Sequence, residues 1–438
     1  MTILRPDDPG YDDVRRGFNL IADTRPWGVA EPTTPDEVCA LVAQAAAAGV
    51  TVAPVGTGHQ IGALPDLSRT LLLRPCIDGG VRVDPAARSA RVPAGTSWEP
   101  VVSAAAEHGL FALHGSSPTV GVVGYLLNGG ASFYGRRHGV AANHVRAVEL
   151  VDANGVTRRV DADHDPDLFW ALRGGGGAFG VVTAVEIDLF EAAGVQGGTL
   201  YWPLAQAKAV MRAWLTWCAD APPDASSSFR IVTLPPAPAV PEQLRQAPHA
   251  AFDALVLGDA DNAERLIGPL RGAADPVIDT FGELTPVTAA RLHGDPESPL
   301  PYVSTAGSVR GLDDAAIDAF LGAAGEGSVL LAAELRQLGG ALAVAPPGAG
   351  ATGALGDGFL LYGVGVPAGS ITADAVGASC ARLHDAMAPW RAGRQYLGFV
   401  ERHTSAAEAF AADTYARLVG IRDRVDPQRR FVVAHDIS

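Results

Sequence analysis

A glycine-rich run that ends on a histidine is the first segment of this chain whose residue types could do chemistry. Residues 54–59 read Pro-Val-Gly-Thr-Gly-His and follow an apolar stretch containing Val50, Val52 and Ala53. The two glycines and the small threonine let the backbone approach a ligand closely and point successive N–H groups at it, a geometry that binds a pyrophosphate. Because the G-x-G-x-x-G spacing is absent, the run alone is a weak indication of a nucleotide cofactor.

Two further glycine-rich segments lie in the same half of the chain. Five of the sixteen residues in 115–130 are glycine, and residues 174–177 are four consecutive glycines within an otherwise apolar segment. So many glycines weaken helix and strand alike, and close approach of the backbone to a large flat ligand is one reason for that composition. Three such segments strengthen the hypothesis of a bound cofactor.

Short-range signals predict the elements that position these segments. Thr34, an N-cap followed by proline at the first helical position, predicts a helix that ends at Gly49, so that the strand from Val50 leads into the first glycine run. The pair Asn154-Gly155 predicts a β-hairpin. A short helix is predicted to begin at Asp165-Pro166 and to end at the third glycine segment.

In order and spacing, the three glycine-rich segments resemble those of the FAD-linked oxidases of the vanillyl-alcohol oxidase/p-cresol methylhydroxylase (PCMH-type) superfamily, most closely the berberine-bridge-enzyme-like branch. The resemblance covers residues 24–190 and 394–438, and its most specific part is the segment DLFWALRGGGGAFGVV at 167–182. It implies an α+β fold, in which a PCMH-type FAD-binding domain of two α+β subdomains carries an inserted α/β substrate domain of antiparallel sheet covered by helices.

The same resemblance predicts the domain boundaries. Residues 1–195 are expected to form the FAD-binding domain, residues 196–392 the substrate-binding domain, and residues 393–438 a C-terminal segment that completes the FAD-binding domain and the active site. The chain length of 438 residues agrees with more than one domain.

Two positions determine how the resemblance predicts FAD to be attached. His59 matches the histidine that many relatives bond covalently to the 8α carbon of the flavin ring. The alternative is a histidine that only caps the loop through hydrogen bonds. Many relatives carry a second tether, a cysteine, at the position of Ser117, so no second covalent link is expected here and the substrate side of the ring should be less crowded.

The remaining cofactor contacts carry over position by position. They are, for the pyrophosphate loop, Val55, Gly56, Thr57, Gly58 and Gln60; for the ring and ribityl chain, Gly115, Ser116, Thr119, Val120, Gly121, Gly124, Tyr125, Gly129 and Gly130; for a further flavin contact, Gly139, Val140 and Ala142; for the adenosine and ring side, Gly174, Gly177, Gly180, Val181 and Val182; and His435 near the C-terminus.

The resemblance also predicts catalytic residues. Relatives carry a Tyr-x-Asn-Phe/Tyr motif whose tyrosine often acts as the base, and residues 396–399 here read Tyr-Leu-Gly-Phe, so that Tyr396 is kept and the asparagine is lost. An Asn-His pair near the end of the relatives is Ala434-His435 here. Tyr362, on a strand expected to face the ring, is a second candidate; the alternative is an aromatic residue on the buried face of a strand.

Two polar clusters have simpler interpretations than a site. Glu401, Arg402 and His403 follow Tyr396 closely enough to reach a substrate, but a solvated charge cluster is the favoured interpretation. The acidic residues 161–167 suggest a metal, yet a helix N-terminus rich in carboxylates explains them, and no metal is predicted.

Composition limits the classes of partner. The formal net charge is −15, and no basic run is longer than a pair, which excludes a nucleic-acid backbone or an anionic membrane as partner. Four scattered cysteines without C-x-x-C predict neither a zinc knuckle nor a disulfide framework. The sequence shows no signal peptide and no sufficiently apolar span, so a cytoplasmic location is the expectation.

The resemblance therefore implies an FAD-dependent oxidoreductase, an oxidase that takes hydride from an alcohol, sugar or secondary-metabolite carbon and passes electrons to O2, forming hydrogen peroxide. Its expected partners are a small-molecule substrate and O2. Three alternatives stay open. The protein could bind flavin with little or no turnover, as the two lost asparagines suggest, it could be a dehydrogenase with another electron acceptor, or its glycines could serve packing without any cofactor.

Overall fold

The computed structural model describes residues 2–192, 194–245 and 247–438. Its strands are β1 (Gly28–Ala30), β2 (Thr51–Pro54), β3 (Thr70–Leu73), β4 (Arg82–Asp84), β5 (Ser89–Pro93), β6 (Leu110–Phe111), β7 (Val145–Val151), β8 (Thr157–Asp161), β9 (Val181–Asp188), β10 (Phe190–Glu191), β11 (Val195–Pro203), β12 (Ala225–Val232), β13 (His249–Leu257), β14 (Ile278–Asp279), β15 (Gly282–Glu283), β16 (Val303–Val309), β17 (Ala332–Gln337), β18 (Phe359–Gly365), β19 (Thr404–Ser405) and β20 (His435–Asp436). Its α-helices are α1 (Tyr11–Arg15), α2 (Pro35–Ala47), α3 (Trp98–Ala106), α4 (Val122–Leu127), α5 (Gly135–His138), α6 (Pro166–Leu172), α7 (Ala207–Asp220), α8 (Ala260–Ala273), α9 (Pro286–Ala289), α10 (Asp314–Ala324), α11 (Ala373–Ala386) and α12 (Ala412–Val425).

The described N-terminal residues form two main sheets and a short antiparallel pair, β6 with β10. A parallel sheet has the order β1-β3-β2, and an antiparallel sheet has the order β4-β5-β9-β7-β8. The predicted helix after Thr34 is confirmed as α2, because the Thr34 hydroxyl accepts the N–H of Glu37 and caps the helix. The hairpin at Asn154-Gly155 is confirmed as the β7–β8 pair. Asp165 caps α6 by accepting the N–H of Leu168, in agreement with the simpler interpretation of the acidic cluster.

The middle of the chain forms one larger antiparallel sheet. Its order is β14-β11-β13-β12-β17-β18-β16, with β15 also paired to β11. Apolar residues on one face pack with the helices α7, α8, α10 and α11 in a single buried cluster. Strand periodicity puts alternate residues on the other face, and the register aligns Arg230, Glu334 and Tyr362 in one row across β12, β17 and β18. This second face is polar.

The C-terminal segment returns to the N-terminal sheet. Val52 in β2 donates its N–H to the carbonyl of Arg430 at 2.8 Å and accepts the N–H of Val432 at 2.9 Å. Residues 430–432 thus lie beside β2, the strand that leads into the first glycine run, and hydrogen-bond to it. The predicted fold class is confirmed, whereas the exact domain boundaries stay a prediction. No helix within the residue ranges given above is long and apolar enough to cross a membrane.

Candidate active site

A deep cleft lies where the three glycine-rich segments, the polar face of the large sheet and the C-terminal segment meet. The residues predicted for the site that line this cleft are Val55, Gly56, Thr57, Gly58, His59, Gln60, Gly115, Ser116, Ser117, Val120, Gly121, Gly124, Tyr125, Gly177, Tyr362, Tyr396 and His435. The structure thus brings both predicted catalytic tyrosines and most of the predicted cofactor contacts together.

The other predicted cofactor residues do not line the cleft. They are Thr119, Gly129, Gly130, Gly139, Val140, Ala142, Gly174, Gly180, Val181 and Val182. Val140 and Ala142 belong to a small buried cluster around Leu342, and Val181 belongs to the core that α2 covers. Thr119 lies directly behind the lining, with its hydroxyl 2.9 Å from that of Ser117. Contact of these residues with FAD stays a prediction.

Hydrogen bonds fix the first glycine run relative to the other walls. The Thr57 hydroxyl accepts the N–H of Gly121 at 3.2 Å, which joins the first and second glycine-rich segments. The Gln60 amide donates to the carbonyls of Leu397 at 2.6 Å and Val400 at 3.1 Å. Gly58 has a φ of +79°, and a Cβ there would lie 2.5 Å from the Cα of Gly17, so only glycine fits. Hydrogen bonds at Thr57 and at Gln60 therefore fix the position of this loop.

Two glycines of the cleft are not explained by packing within the protein. A Cβ on Gly56 or on Gly124 would meet no protein atom within 4 Å, and neither residue has a positive φ. Both glycines line the cleft, so the space beside them is open to a ligand. Glycines with open space beside them are expected where the backbone lies close to a large cofactor.

The cleft also holds buried polar atoms without a protein partner. These atoms are Nε2 of His59, the hydroxyl of Tyr125 and both ring nitrogens of His435. Buried polar groups are almost always hydrogen-bonded, so these atoms indicate a polar ligand in the cleft. Together with the open glycines, they show that the residues present fit FAD.

The ring of His59 is both fixed and uncharged. The ring stacks on Phe18 with the ring centroids 4.0 Å apart, and the backbone carbonyl of His59 accepts the Tyr302 hydroxyl at 3.1 Å. Burial lowers the pKa of His59 to about 4, against the opposing charge of Asp295. The imidazole is therefore neutral at neutral pH and keeps one nitrogen available as a nucleophile.

A network of buried charges covers the polar face of the sheet. Asp253, which is fully buried, is 2.7 Å from Arg230 and 3.2 Å from Nδ1 of His293. On its other side, His293 Nε2 lies 3.3 Å from Glu334, and Glu334 binds Arg336 at 2.7 Å. With His293 protonated, positive and negative groups alternate along this network. Each buried carboxylate of the network therefore has a cationic partner on either side.

Ser116 links this network to the second glycine-rich segment. Its hydroxyl donates to Asp295 at 3.0 Å and accepts from Arg336 at 3.3 Å. Asp295 lies 3.9 Å from His293, so the chain of polar contacts closes on itself. The wall opposite the glycine loops is therefore polar and rigid rather than apolar.

The ion pairs of His293 make stability depend on pH. Burial and Arg230 oppose its charged form, but Glu334, Asp295 and Asp253 together raise the pKa of His293 to about 9. A raised pKa in the folded state means that this contribution to the free energy of unfolding is complete below the unfolded value of 6.5 and is lost as pH rises through about 9.

We expect His293→Gln to reduce this pH dependence. Wild type should lose more stability than the variant between about pH 6 and about pH 10, measured by urea unfolding, because the variant has no proton to release there. Tyrosine and cysteine side chains titrate alike in both proteins and cancel in the comparison. An equal loss in the two proteins would contradict the assignment of a charged His293.

Tyr396 is buried against the second glycine-rich segment. Its side chain is 7% exposed, and its hydroxyl oxygen accepts the N–H groups of Gly130 at 3.1 Å and Ala131 at 3.0 Å. Burial raises the pKa of Tyr396 to about 12, although both N–H groups oppose that rise. Tyr362 does not pair with Tyr396. The ring of Phe399 contacts both phenols, with centroids 5.3 Å from each.

Glu401 is a correction to the sequence analysis. It is not part of a solvated charge cluster, although its neighbours Arg402 and His403 are exposed as expected. Its carboxyl group accepts the Tyr302 hydroxyl at 2.8 Å and the Ser304 hydroxyl, and it lines the cleft. Two charged neighbours made the segment look solvent-exposed, but the fold turns Glu401 inward.

Residues 26–161 match the FAD_binding_4 family, described as an FAD binding domain. The fold is similar to that of Physcomitrella patens BBE-like 1, with a TM-score of 0.85 at 22% identity over 100% of this chain and 96% of that one. It is also similar to 6-hydroxy-D-nicotine oxidase from Arthrobacter nicotinovorans, with a TM-score of 0.84 at 23% identity over 98% and 96%. Residues 26–161 of this chain therefore form an FAD-binding domain of the FAD_binding_4 family.

Curated relatives match this chain over part of their length. It is 30% identical to (R)-6-hydroxynicotine oxidase of Paenarthrobacter nicotinovorans over 280 residues, which are 64% of this chain and 60% of that protein. It is 31% identical to glucooligosaccharide oxidase of Sarocladium strictum over 222 residues, 50% of this chain and 44% of that protein. The chain thus spans about three fifths of the nicotine oxidase and less of the other relative.

The departure from the PCMH-type motif at Gly398 has a local physical reason. A Cβ on residue 398 would lie 2.4 Å from the hydroxyl oxygen and from Cζ of Tyr396. The ring of Tyr396 therefore occupies the space that an asparagine side chain would need, and this placement of the tyrosine requires glycine at 398.

We expect Gly398→Ala to lower the free energy of unfolding by about 1–3 kcal/mol, because the added methyl group overpacks a buried contact. Gly393→Ala is the matched control, since a Cβ there meets no atom within 4 Å. Urea unfolding of the two variants measures the difference. Equal stability of the two would show that Tyr396 does not lie over residue 398.

Several functional candidates were either not named in the sequence analysis or, in the case of Glu401, assigned to the solvated surface. They are Arg230, His293, Asp295, Tyr302, Ser304, Glu334, Arg336 and Glu401, of which all but Ser304 line the cleft. One available signal was the charge pattern of strand Ala332–Gln337, where Glu334 and Arg336 alternate with apolar residues. Charged residues at alternate positions of a central strand indicate a polar sheet face.

Proposed function

We propose that this protein is an FAD-dependent oxidase that acts on a CH–OH or related donor, with FAD linked covalently to His59 and O2 as the electron acceptor. The observation that carries the proposal is one cleft that is lined by His59, Tyr396 and a polar sheet face. The His59 ring is neutral, and its Nε2 has no hydrogen-bond partner among the described residues. FAD bound there supplies a two-electron acceptor for hydride and passes the electrons to O2, with formation of hydrogen peroxide.

Each wall of the cleft has a distinct part in the proposal. Thr57, Gly56 and Gly124 offer backbone and space to the cofactor, and His59 holds it. Arg336 and Glu334, which are locked to each other, orient polar groups of the donor without moving. Tyr396, predicted as the base, keeps its proton at neutral pH because burial raises its pKa to about 12, so its hydroxyl, fixed by the N–H groups of Gly130 and Ala131, holds a polar atom of the donor while another group takes the donor proton.

The donor panel follows from the names of the relatives. One is named as an oxidase of a hydroxynicotine and another as an oxidase of glucooligosaccharides, so both C–N and C–O donors belong in the panel. We propose a small polar donor of one of these classes, since the sheet face opposite the glycine loops is lined by charged side chains. The cytoplasmic location expected from the sequence stays a prediction.

The test is anaerobic mixing of purified protein with secondary amines, alcohols and mono- and oligosaccharides, followed by admission of O2. Bleaching of the flavin absorbance and stoichiometric hydrogen peroxide support the oxidase. Bleaching without peroxide supports a dehydrogenase with another acceptor. Bound flavin that no donor reduces supports a binding protein with little turnover, and a colourless protein that takes up no FAD contradicts the proposal.

A further inference from the structure

A second cavity lies behind the candidate active site. Its volume is about 670 Å³, and its outer part is lined by the exposed side chains of Asp23, Arg25, Asp66 and Arg402, so it is open to water. Among the residues that line both cavities is Glu401. This carboxyl group therefore stands between the active-site cleft and a separate route to solvent.

The hydrogen bonds of Glu401 suit both of its protonation states. Tyr302 has a single hydroxyl proton but two acceptors, Glu401 at 2.8 Å and the carbonyl of His59 at 3.1 Å. When Glu401 is ionised, it accepts from Tyr302 and Ser304. When Glu401 is protonated, its own O–H can donate to the Tyr302 oxygen while Tyr302 donates to His59. In both states each hydroxyl proton of Tyr302, Ser304 and Glu401 has an acceptor.

The electrostatic surroundings of Glu401 also allow a proton to come and go. From the strands and helix around it, Tyr302, Tyr362 and Cys380 face the carboxyl group, and all three side chains are neutral at neutral pH. In the part of the chain that the structure describes, no basic side chain forms an ion pair with Glu401, in contrast to Glu334. Burial raises the pKa of Glu401 to about 7, although hydrogen bonds from Ser304, Tyr302 and Tyr362 oppose the rise.

We propose that Glu401 is a proton-relay residue, and that the second cavity is the route by which the proton of the donor reaches bulk water. The proposal rests on the proposed function. The O–H or N–H bond of the donor breaks, its electron pair stays on the donor atom, and the proton forms an O–H bond on the Glu401 carboxylate. That bond then breaks, and the proton passes to water in the second cavity. In the reductive half-reaction one proton enters and one leaves Glu401 while the hydride goes to the flavin, and the formation of hydrogen peroxide from O2 later takes one proton back from solvent.

Two variants test the titrating group, Glu401, and the route to solvent, the second cavity, separately. Glu401→Gln removes the titrating group but keeps its shape. Gly62→Leu narrows the second cavity, since Gly62 lines it, and the added Cβ would lie an ordinary 3.5 Å from that of Ala22. Gly272→Leu is the matched control, an exposed glycine of α8 with no atom within 4 Å of the added Cβ.

The first readout is anaerobic stopped-flow reduction with a pH-indicator dye. In wild type, the proton should appear in solution together with flavin reduction, and the rate should rise with pH through about 7 because the carboxylate is the acceptor. Glu401→Gln should reduce about 100-fold more slowly and lose this pH dependence. Gly62→Leu should keep reduction within a few-fold but delay proton release about tenfold, whereas Gly272→Leu should behave as wild type.

The second readout needs no donor. Infrared titration of the FAD-loaded protein should show a carboxylic-acid band that disappears as pH rises through about 7 and is absent in Glu401→Gln. Transfer to D2O should shift this band more slowly in Gly62→Leu than in wild type. A missing band, or deuterium exchange and proton release unchanged in a folded Gly62→Leu, would overturn the relay. Wild type that no donor reduces contradicts only the proposed function, because the infrared result still decides the relay.

Discussion

His59→Ala is expected to lose all flavin colour from its acid precipitate, whereas the wild-type precipitate stays yellow. A covalent bond survives denaturation, and only a neutral imidazole has a lone pair with which to form one. Burial holds the pKa of His59 at about 4, so that the ring is neutral at any pH near 7, and its Nε2 has no hydrogen-bond partner among the described residues. Absorption spectra of precipitate and supernatant measure the outcome.

His138→Ala is the matched control for this prediction. Burial also lowers the pKa of His138 to about 4, but its ring packs on Phe190, and it does not line the cleft. This variant should keep the colour in the precipitate. Colour released from wild type would leave FAD binding intact but exclude the covalent bond, and colour retained by His59→Ala would place the bond on another residue.

Asp253→Ala is expected to destabilise the protein by about 3–5 kcal/mol, because it leaves Arg230 and His293 as buried charges without their shared partner. Burial opposes ionisation of this carboxyl group, yet Arg230 and His293 hold its pKa at about 2. Thr199 and Ser228 also donate to Asp253 and would lose that partner. Urea unfolding measures the loss.

Asp314→Ala gives the comparison for an exposed pair. Asp314 binds Arg212 at 2.8 Å, but the side chains are 66% and 52% exposed, so we expect a much smaller loss than for Asp253→Ala. Asp253→Asn should recover only part of the stability, because its amide oxygen can still accept from Thr199 and Arg230, whereas its amide nitrogen cannot accept from Ser228 or His293. Similar losses in Asp253→Ala and Asp314→Ala would show that the sheet network is solvated rather than buried.

Local patterns were sufficient for the elements that hold the cofactor segments. The cap at Thr34, the Asn154-Gly155 turn and the Asp165-Pro166 helix start depend on residues within a few positions of one another, and all three are as predicted. The glycine runs indicated a bound cofactor for the same reason, since a backbone cradle is encoded in one short segment, and the family resemblance that they carry implied FAD.

The polar half of the site depends on pairings between distant segments, which no local pattern encodes. Arg230 meets Glu334 only through the register of β12 and β17, and His293 joins them from a loop. Glu401 carried a misleading local signal, because its charged neighbours are exposed while it turns inward. Whether one side chain in a charged segment is buried depends on the tertiary fold. The sequence analysis therefore placed Glu401 in a solvated cluster.

The pairing of residues 430–432 with Val52 has a consequence for the order of events during biosynthesis. The strand that leads into the pyrophosphate loop lies near residue 50, but its partner is translated almost four hundred residues later. Tyr396 and His435, which line the same cleft, also come from the late part of the chain. The nascent polypeptide on the ribosome therefore cannot present a finished flavin pocket, and cofactor capture has to follow translation of these late residues.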